Sequence, residues 1–335
     1  MYKEIITKLV AGQNLSSAQA AGIINEILSG SLTDAQIAAF ITAMSIKGET
    51  FEELAGAANA MRSKAARLQV TARTVVDTCG TGGDGLDTFN ISTAAAFVVA
   101  GAGITVAKHG NRSVSSKCGS ADVLEQLGVN LEVEPETVER AVNEIGIGFM
   151  FAPKFHGAMK YAAKARREVG IRSIFNMLGP LTNPAAASCQ LLGVYKPQLT
   201  EMFANALKLL GCRRAFVVHG HDGLDEISVC DNTRVSELDN GVVKTYDIFP
   251  ERFFGQLAEP DSLTGGDASV NAGIISDIFG GKQGAKRNVV VINAAAAIVA
   301  AGKAADMTEG VKTAQESIDA GMAAKKLKEL VEFVR

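Results

Sequence analysis

A short β-branched run, Thr74-Val75-Val76, passes into Asp77-Thr78-Cys79-Gly80-Thr81-Gly82-Gly83-Asp84-Gly85 and then into Asn90-Ile91-Ser92-Thr93. This order of buried strand, glycine loop and hydroxyl-bearing helix start restricts the fold more than any other feature. Glycines let the backbone approach a ligand closely, and the N–H groups and positive dipole end of a helix beginning near Ser92 and Thr93 favour a phosphate. The plainer alternative is a turn that holds nothing. Gly80, Gly82 and Gly85 also satisfy G-x-G-x-x-G, but a dinucleotide site needs its third glycine inside a helix and an acidic residue about 20 residues on. Here Leu86-Asp87-Thr88-Phe89 continue the loop, and the next strand is expected to end at Lys108. A G-x-x-x-x-G-K-[ST] phosphate loop is absent from the chain.

That next strand, Ile104 to Ala107, leads into Lys108-His109-Gly110-Asn111-Arg112-Ser113-Val114-Ser115-Ser116-Lys117. Cations and hydroxyls interleaved with glycine, at the carboxyl end of a second strand, suit a polyphosphate better than a single phosphate. After a further strand, Ala215 to Val218, comes His221-Asp222-Gly223-Leu224-Asp225-Glu226. Adjacent carboxylates in a loop can grip a hard cation, which an anionic pair needs beside an anionic ligand. His219 and His221 lack further ligands for a soft-metal site. Arg166, Arg167 and Arg172 are read as one helix, and any of the three offers the planar fork that pairs with a carboxylate.

Around these segments the chain alternates strand and helix, with helices from about Ser92 to Gly101 and from Ser120 to Leu127, and a strand near Leu191 to Tyr195. This predicts a mostly parallel sheet covered by helices. Ala158 to Val169 reads as a helix, Asn176 to Pro184 as a Pro-punctuated turn, and the tail from Val289 onward as helical. The first 66 residues read as four helices. Ser16 with Gln19 and Thr50 with Glu53 have capping-box spacing, and Asp34 opens a helix with Ile37, Ala38, Ile41 and Met44 on one face.

With 33 Lys+Arg against 36 Asp+Glu the formal charge is −3. So weak a field does not draw nucleic acid or an anionic membrane, and a small-molecule partner is expected. The longest apolar runs, Ala94 to Ala107 and Val289 to Gly302, fall short of the roughly 20 residues of a membrane span, and no secretory block opens the chain. Five scattered cysteines suggest neither a disulfide framework nor a zinc site, so a cytoplasmic location is expected.

Five segments together resemble the anthranilate phosphoribosyltransferases: Gly80-Thr81-Gly82-Gly83-Asp84, Asn90 to Thr93, Lys108 to Ser116, Phe175 to Pro184, and Asp225-Glu226. The resemblance implies the α/β fold of the pyrimidine nucleoside phosphorylases. A helical domain, residues 1–70 completed by an insertion at about 160–188, joins an α/β domain of 71–159 and 189–335. It implies transfer of 5-phosphoribosyl from 5-phospho-α-D-ribose 1-diphosphate (PRPP) to the anthranilate amine, with Mg²⁺, in two ions, and a homodimer joined through the N-terminal helices. By position, Gly80, Gly83, Asp84, Thr88, Asn90, Ile91, Ser92, Thr93, Lys108, His109, Gly110, Asn111, Arg112, Ser113, Val114, Ser115, Ser116 and Ser120 then hold PRPP. Ser92, Asp225 and Glu226 serve the metal; Gly80, Asn111 and Arg166 meet anthranilate; Lys108 and His109 are the catalytic candidates. A pyrimidine nucleoside phosphorylase and a non-enzymatic nucleic-acid-binding relative are the rival readings.

Overall fold

The computed structural model describes residues 1–113 and 117–335. The chain opens with four helices, α1 (Tyr2–Val10), α2 (Ser17–Leu28), α3 (Asp34–Lys47) and α4 (Phe51–Lys64). The two expected capping boxes form, and a third joins Thr33 to Gln36 ahead of Asp34. Glu53 is fully buried and does double duty. It closes its own box with Thr50 and also accepts from the Leu15 N–H at 2.7 Å and from Lys47 at 2.8 Å. At the crossing of α2 and α4 a Cβ on Gly56 would lie 2.1 Å from the Ser17 carbonyl oxygen, so glycine sets how closely the two helices approach.

The remainder alternates as expected: β1 (Val75–Gly80), α5 (Ile91–Gly101), β2 (Thr105–Gly110), α6 (Ser120–Gln126), α7 (Pro135–Glu144), β3 (Ile147–Phe151), α8 (Ala152–Phe155), α9 (Lys160–Val169), α10 (Ile174–Leu178), β4 (Cys189–Gly193), α11 (Leu199–Leu209) and β5 (Arg214–Gly220). The hairpin of β6 (Thr233–Asp239) and β7 (Val242–Ile248) follows, then α12 (Glu251–Phe254), α13 (Ala268–Phe279), α14 (Ala285–Ala300), α15 (Met307–Asp319) and α16 (Met322–Phe333). Among the described residues these strands form one seven-stranded sheet ordered β3-β2-β1-β4-β5-β6-β7, parallel from β3 to β5 and antiparallel through β6 and β7.

Three local expectations are corrected. β2 does not stop before Lys108: it pairs with β3 through Lys108, His109 and Gly110, so these lie in the sheet and not in a loop. Arg172 is not on the helix of Arg166, because Gly170 adopts φ +66° and ends α9 two residues earlier. The stretch from Asn176 is not a turn but the end of α10 followed by a 3₁₀ turn, Gly179–Leu181.

Two large apolar clusters, with a smaller third around Leu68, Ala107, Val138 and Met150, divide the interior. One packs α5, α13 and α14 against one face of the sheet; the other runs from the N-terminal helices through Ala162, Ala165, Phe175 and Phe203 to Leu192 and Val217 on the opposite face. The N-terminal helices therefore bury much of their apolar surface within the chain, while Val10 and Ile46 stay exposed. Among the described residues no helix is long and apolar enough to cross a membrane.

Candidate active site

The strand order reverses between β1 and β4: the chain first builds outward through β2 and β3, then returns to pair β4 with β1. Ligand crevices of open α/β sheets form at the carboxyl ends of the strands at such a point. Here four strand ends converge there. The glycine loop follows β1, Lys108 and His109 lie in the last residues of β2, Tyr195 follows β4, and the Asp225-Glu226 loop follows β5.

The glycine loop is tied to both neighbours. Thr81 donates its N–H to the Gly193 carbonyl at 2.9 Å and accepts from the Tyr195 N–H at 3.1 Å, while Gly82 N–H donates to Asp225 Oδ2 at 2.8 Å. Gly82, Gly83 and Gly85 have φ of +65°, +76° and +80°, a left-handed backbone that favours glycine. Two glycines make room for the acidic loop. A Cβ on Gly80 would sit 2.6 Å from Asp225 Oδ2, and one on Gly193 only 1.4 Å from the Asp225 carbonyl oxygen. Gly193 carried no sequence motif, and its need for glycine is visible only in the packing.

Glu226 is buried and Asp225 half-buried. Glu226 Oε1 accepts from the Ser92 N–H at 3.0 Å, so the start of α5 is capped from another loop and the N–H of Ser92 is not open to a phosphate. Its other oxygen, Oε2, has no hydrogen-bond partner among the described residues. Burial and the charge of Asp84 push Asp225 up to about 7; burial and Asp225 push Glu226 up to about 8, with Lys108 pulling the other way. Carboxyls this reluctant to ionise, one with an orphaned oxygen, carry more negative charge than Lys108 alone answers. Together with the Ser92 hydroxyl they form an all-oxygen donor set, which fits a hard divalent cation. Asp84 hydrogen-bonds Asp225 and is itself raised by burial.

Lys108 reaches this cluster from below. Its ammonium donates to the Thr78 carbonyl and to Ser92 Oγ, the latter at 3.3 Å, and burial lowers its pKa. His109 is buried; its Nδ1 lies 3.2 Å from the Gly179 carbonyl oxygen, which can only accept, so Nδ1 carries the proton and Nε2 is left as an acceptor with no partner among the described residues. Burial and the neighbouring His156 hold His109 down at about 3. His156 stands edge-on to His109 with ring centroids 5.0 Å apart, has an Nε2 without a partner among the described residues, and is lowered to about 4 by burial. No motif marks His156 in the sequence; its pairing with His109 arises from packing across β2 and the α8 turn.

The other candidates separate into two groups. Arg112 and Ser113 face the acids of α6: Arg112 pairs with Glu125 and with Asp122 at 3.1 Å, and the Ser113 N–H donates to Asp122 at 3.1 Å. Asn111 and Ser120 are joined by a 3.2 Å bond from the Ser120 hydroxyl to the Asn111 carbonyl. Asn90 spends its side chain on Cys118 and Asn271, and Thr88 bridges to Thr264. Gly110 ends β2, Ile91 is buried at the start of α5, and Thr93 Oγ1 is buried without a hydrogen-bond partner among the described residues. Val114, Ser115 and Ser116 lie outside the described residues. On the helical side the Arg166 guanidinium lies 5.3 Å from the Phe175 ring centroid, has no hydrogen-bond acceptor among the described residues, and is lowered by burial.

Comparison with known proteins places this arrangement. Residues 72–324 match a family model described as "Glycosyl transferase family, a/b domain", and residues 3–65 its "helical bundle domain". The anthranilate phosphoribosyltransferase of Desulfosudis oleivorans is 65% identical over 336 residues, covering 100% of this chain and 99% of that protein. That of Syntrophobacter fumaroxidans is 64% identical, covering 99% of each. Among solved structures, anthranilate phosphoribosyltransferase from Thermus thermophilus superposes with a TM-score of 0.94 at 41% identity, covering 99% of both chains. The Saccharomyces cerevisiae enzyme in complex with PRPP and Mg does so at 0.90 and 29% identity, covering 99% of this chain and 97% of that one. Agreement in sequence over the whole length and in fold across both cores means that this chain belongs to the glycosyl transferase family and, within it, to the anthranilate phosphoribosyltransferases.

Proposed function

We propose that the protein transfers 5-phosphoribosyl from PRPP to the amine of anthranilate, giving N-(5-phosphoribosyl)anthranilate and pyrophosphate in tryptophan synthesis. The observation that carries this reading is the acidic pair Asp225-Glu226 locked against the glycine loop, with a buried carboxylate oxygen that has no hydrogen-bond partner among the described residues. A diphosphate brings its own divalent cation, and this is the chemistry the pair lacks.

In the reaction the bond from ribose C1 to the diphosphate oxygen breaks, its electron pair leaving with pyrophosphate, and a C1–N bond forms. Magnesium bound with the donor, taken here as two ions held by Ser92, Asp225 and Glu226, supplies positive charge against the charge building on pyrophosphate. Gly80, Gly83, Asp84, Thr88, Asn90 to Thr93, Lys108 to Ser116 and Ser120 are assigned to PRPP. Lys108 adds a fixed positive charge under Ser92, where charge develops. The aromatic amine is neutral at pH 7 and needs no strong base before attack. It sheds one proton afterwards; the free Nε2 of His109 accepts a hydrogen bond from it, and the low basicity of that ring passes the proton on to water. Arg166, with Gly80 and Asn111, receives anthranilate, the guanidinium meeting its carboxylate. Catalysis is then chiefly the holding of two substrates in line.

The reading includes a helical domain of residues 1–70 completed by 160–188, a cytoplasmic location and a homodimer through the N-terminal helices. Exposed Val10 at 76% and Ile46 at 83% support the last. The test is loss of anthranilate fluorescence on adding PRPP and Mg²⁺. Phosphate-dependent cleavage of a pyrimidine nucleoside, with anthranilate untouched, would overturn it.

A further inference from the structure

Arg172 has no part in the assignments above. It lies between the end of α9 at Gly170 and the Ser173 cap of α10, on a segment fastened to the helical side by a 3.3 Å hydrogen bond from the Ser45 hydroxyl of α3 to the Arg172 carbonyl. Its side chain crosses to the α/β side. The guanidinium carbon lies 3.9 Å from the Tyr195 ring centroid, and Nη2 donates to the Gly83 carbonyl at 3.1 Å. A Cβ on Gly83 would stand 1.9 Å from that nitrogen, so the glycine is what admits it.

The contacts close a circuit. Tyr195 is bonded through its N–H to Thr81, Thr81 to Gly193, and Gly82 to Asp225, so the loop is held at three successive residues, the third by Arg172. A trans peptide points its carbonyl and the following N–H in opposite directions. Fixing the Gly83 carbonyl toward Arg172 therefore fixes the Asp84 N–H on the other side of the loop. Arginine, unlike lysine, can lay a flat face on an aromatic ring while an edge donates to a carbonyl. Arg166, by contrast, lies 5.3 Å from the Phe175 ring centroid and meets no acceptor among the described residues.

We propose that Arg172 is a positioning residue for donor binding: it holds the Gly83 peptide of the glycine loop in the orientation that receives the diphosphate of PRPP. This rests on the functional reading above. The residue touches no reacting atom, and its effect is expressed through the loop.

The experiment compares full-length wild type with Arg172→Ala, Arg172→Lys and Tyr195→Leu in steady-state assays of anthranilate fluorescence, with thermal midpoints measured alongside. Arg172→Ala is expected to raise the KM for PRPP about tenfold, the scale of one lost charge-assisted hydrogen bond. Its kcat and its KM for anthranilate stay within about threefold, as for an interaction equally present in ground and transition states. Arg172→Lys, which keeps the donor but not the flat face, recovers part of the loss, and Tyr195→Leu shows a smaller rise. If Arg172→Ala fails to fold, the other two variants carry the same comparison. An unchanged PRPP KM in the folded variants, or a rise confined to anthranilate, overturns the proposal while leaving the function standing. A wild type that consumes no anthranilate with PRPP and Mg²⁺ overturns the function and the proposal with it.

Discussion

Asp225 Oδ2 accepts the Gly82 N–H at 2.8 Å and occupies the space that a side chain on Gly80 would need. The acid from the end of β5 is thus built into the wall of the loop that follows β1. Asp225→Asn with Glu226→Gln preserves the acceptors for Gly82 and Ser92 but removes the anionic oxygens. We expect the far-UV spectrum to be unchanged and Mg²⁺-dependent turnover to fall by at least about 100-fold, beyond the usual cost of losing a group that only supports a metal ligand. Wild-type magnesium dependence in the double variant counts against the assignment.

Arg166→Ala tests the acceptor side. Taking the anthranilate carboxylate out of water is costly unless a planar cation meets it. The KM for anthranilate should rise, with kcat/KM down roughly ten- to a thousand-fold, on the order of 1.5–4 kcal/mol. The PRPP KM should hardly move. The reverse pattern would remove Arg166 from the acceptor site.

His156 gives a prediction in pH. Its folded pKa of about 4 lies below the ordinary 6.5, so between those values the unfolded chain takes up a proton that the folded chain refuses. Stability therefore falls as pH drops from 6.5 towards 4, by up to about 1.4 kcal/mol per pH unit from this group, and is independent of it above 6.5. Urea unfolding of His156→Gln should show a correspondingly shallower loss over that window. Parallel curves for variant and wild type would refute the burial argument.

Glu53 tests the helical side. Its carboxylate serves Lys47, Leu15 and Thr50 from a site without solvent. Glu53→Ala takes the one carboxylate from the buried Lys47 ammonium, which keeps only the neutral acceptors Asn14 Oδ1 and the Gly48 carbonyl, and leaves two N–H groups unanswered; it should cost about 3–5 kcal/mol, read as a lower urea midpoint. A shift below 1 kcal/mol would mean that water replaces the carboxylate.

Assembly is the fifth test. Sedimentation at micromolar concentration should give a dimer, and Ile46→Asp should dissociate it, since an apolar contact does not accept an unpaired charge. A monomeric wild type removes the proposal.

The glycine loop, the helix after it and the four N-terminal helices were legible because each is specified within a few residues by caps, glycines or β-branched runs. The length of β2 was not. Lys108 and His109 look like loop residues by composition and are strand residues because β3 pairs with them. The hairpin of β6 and β7 left a signal that the alternating reading passed over: Asn240-Gly241, both at positive φ, between two strands. The Asp225-Glu226 motif was legible as residues, but its reluctance to ionise depends on burial and on Asp84, 141 residues away in sequence from Asp225, which no local pattern encodes. His156 and Gly193 are visible only after packing.

The pairing of β1 with β4 has a consequence for how the protein is made. Val75 and Ser188, at the start of these neighbours, are 113 residues apart, with two strands and the helices α5 to α10 between them. Closing so long a loop precedes any reward from the pairing, which slows folding. A ribosome-bound chain ending short of Gly193 can form its N-terminal helices and the β1–β2–β3 half-sheet, but its glycine loop has no Gly193 carbonyl, Tyr195 amide or Asp225 to fasten to. The glycine loop therefore gains its final shape late in synthesis, after the chain has passed β5.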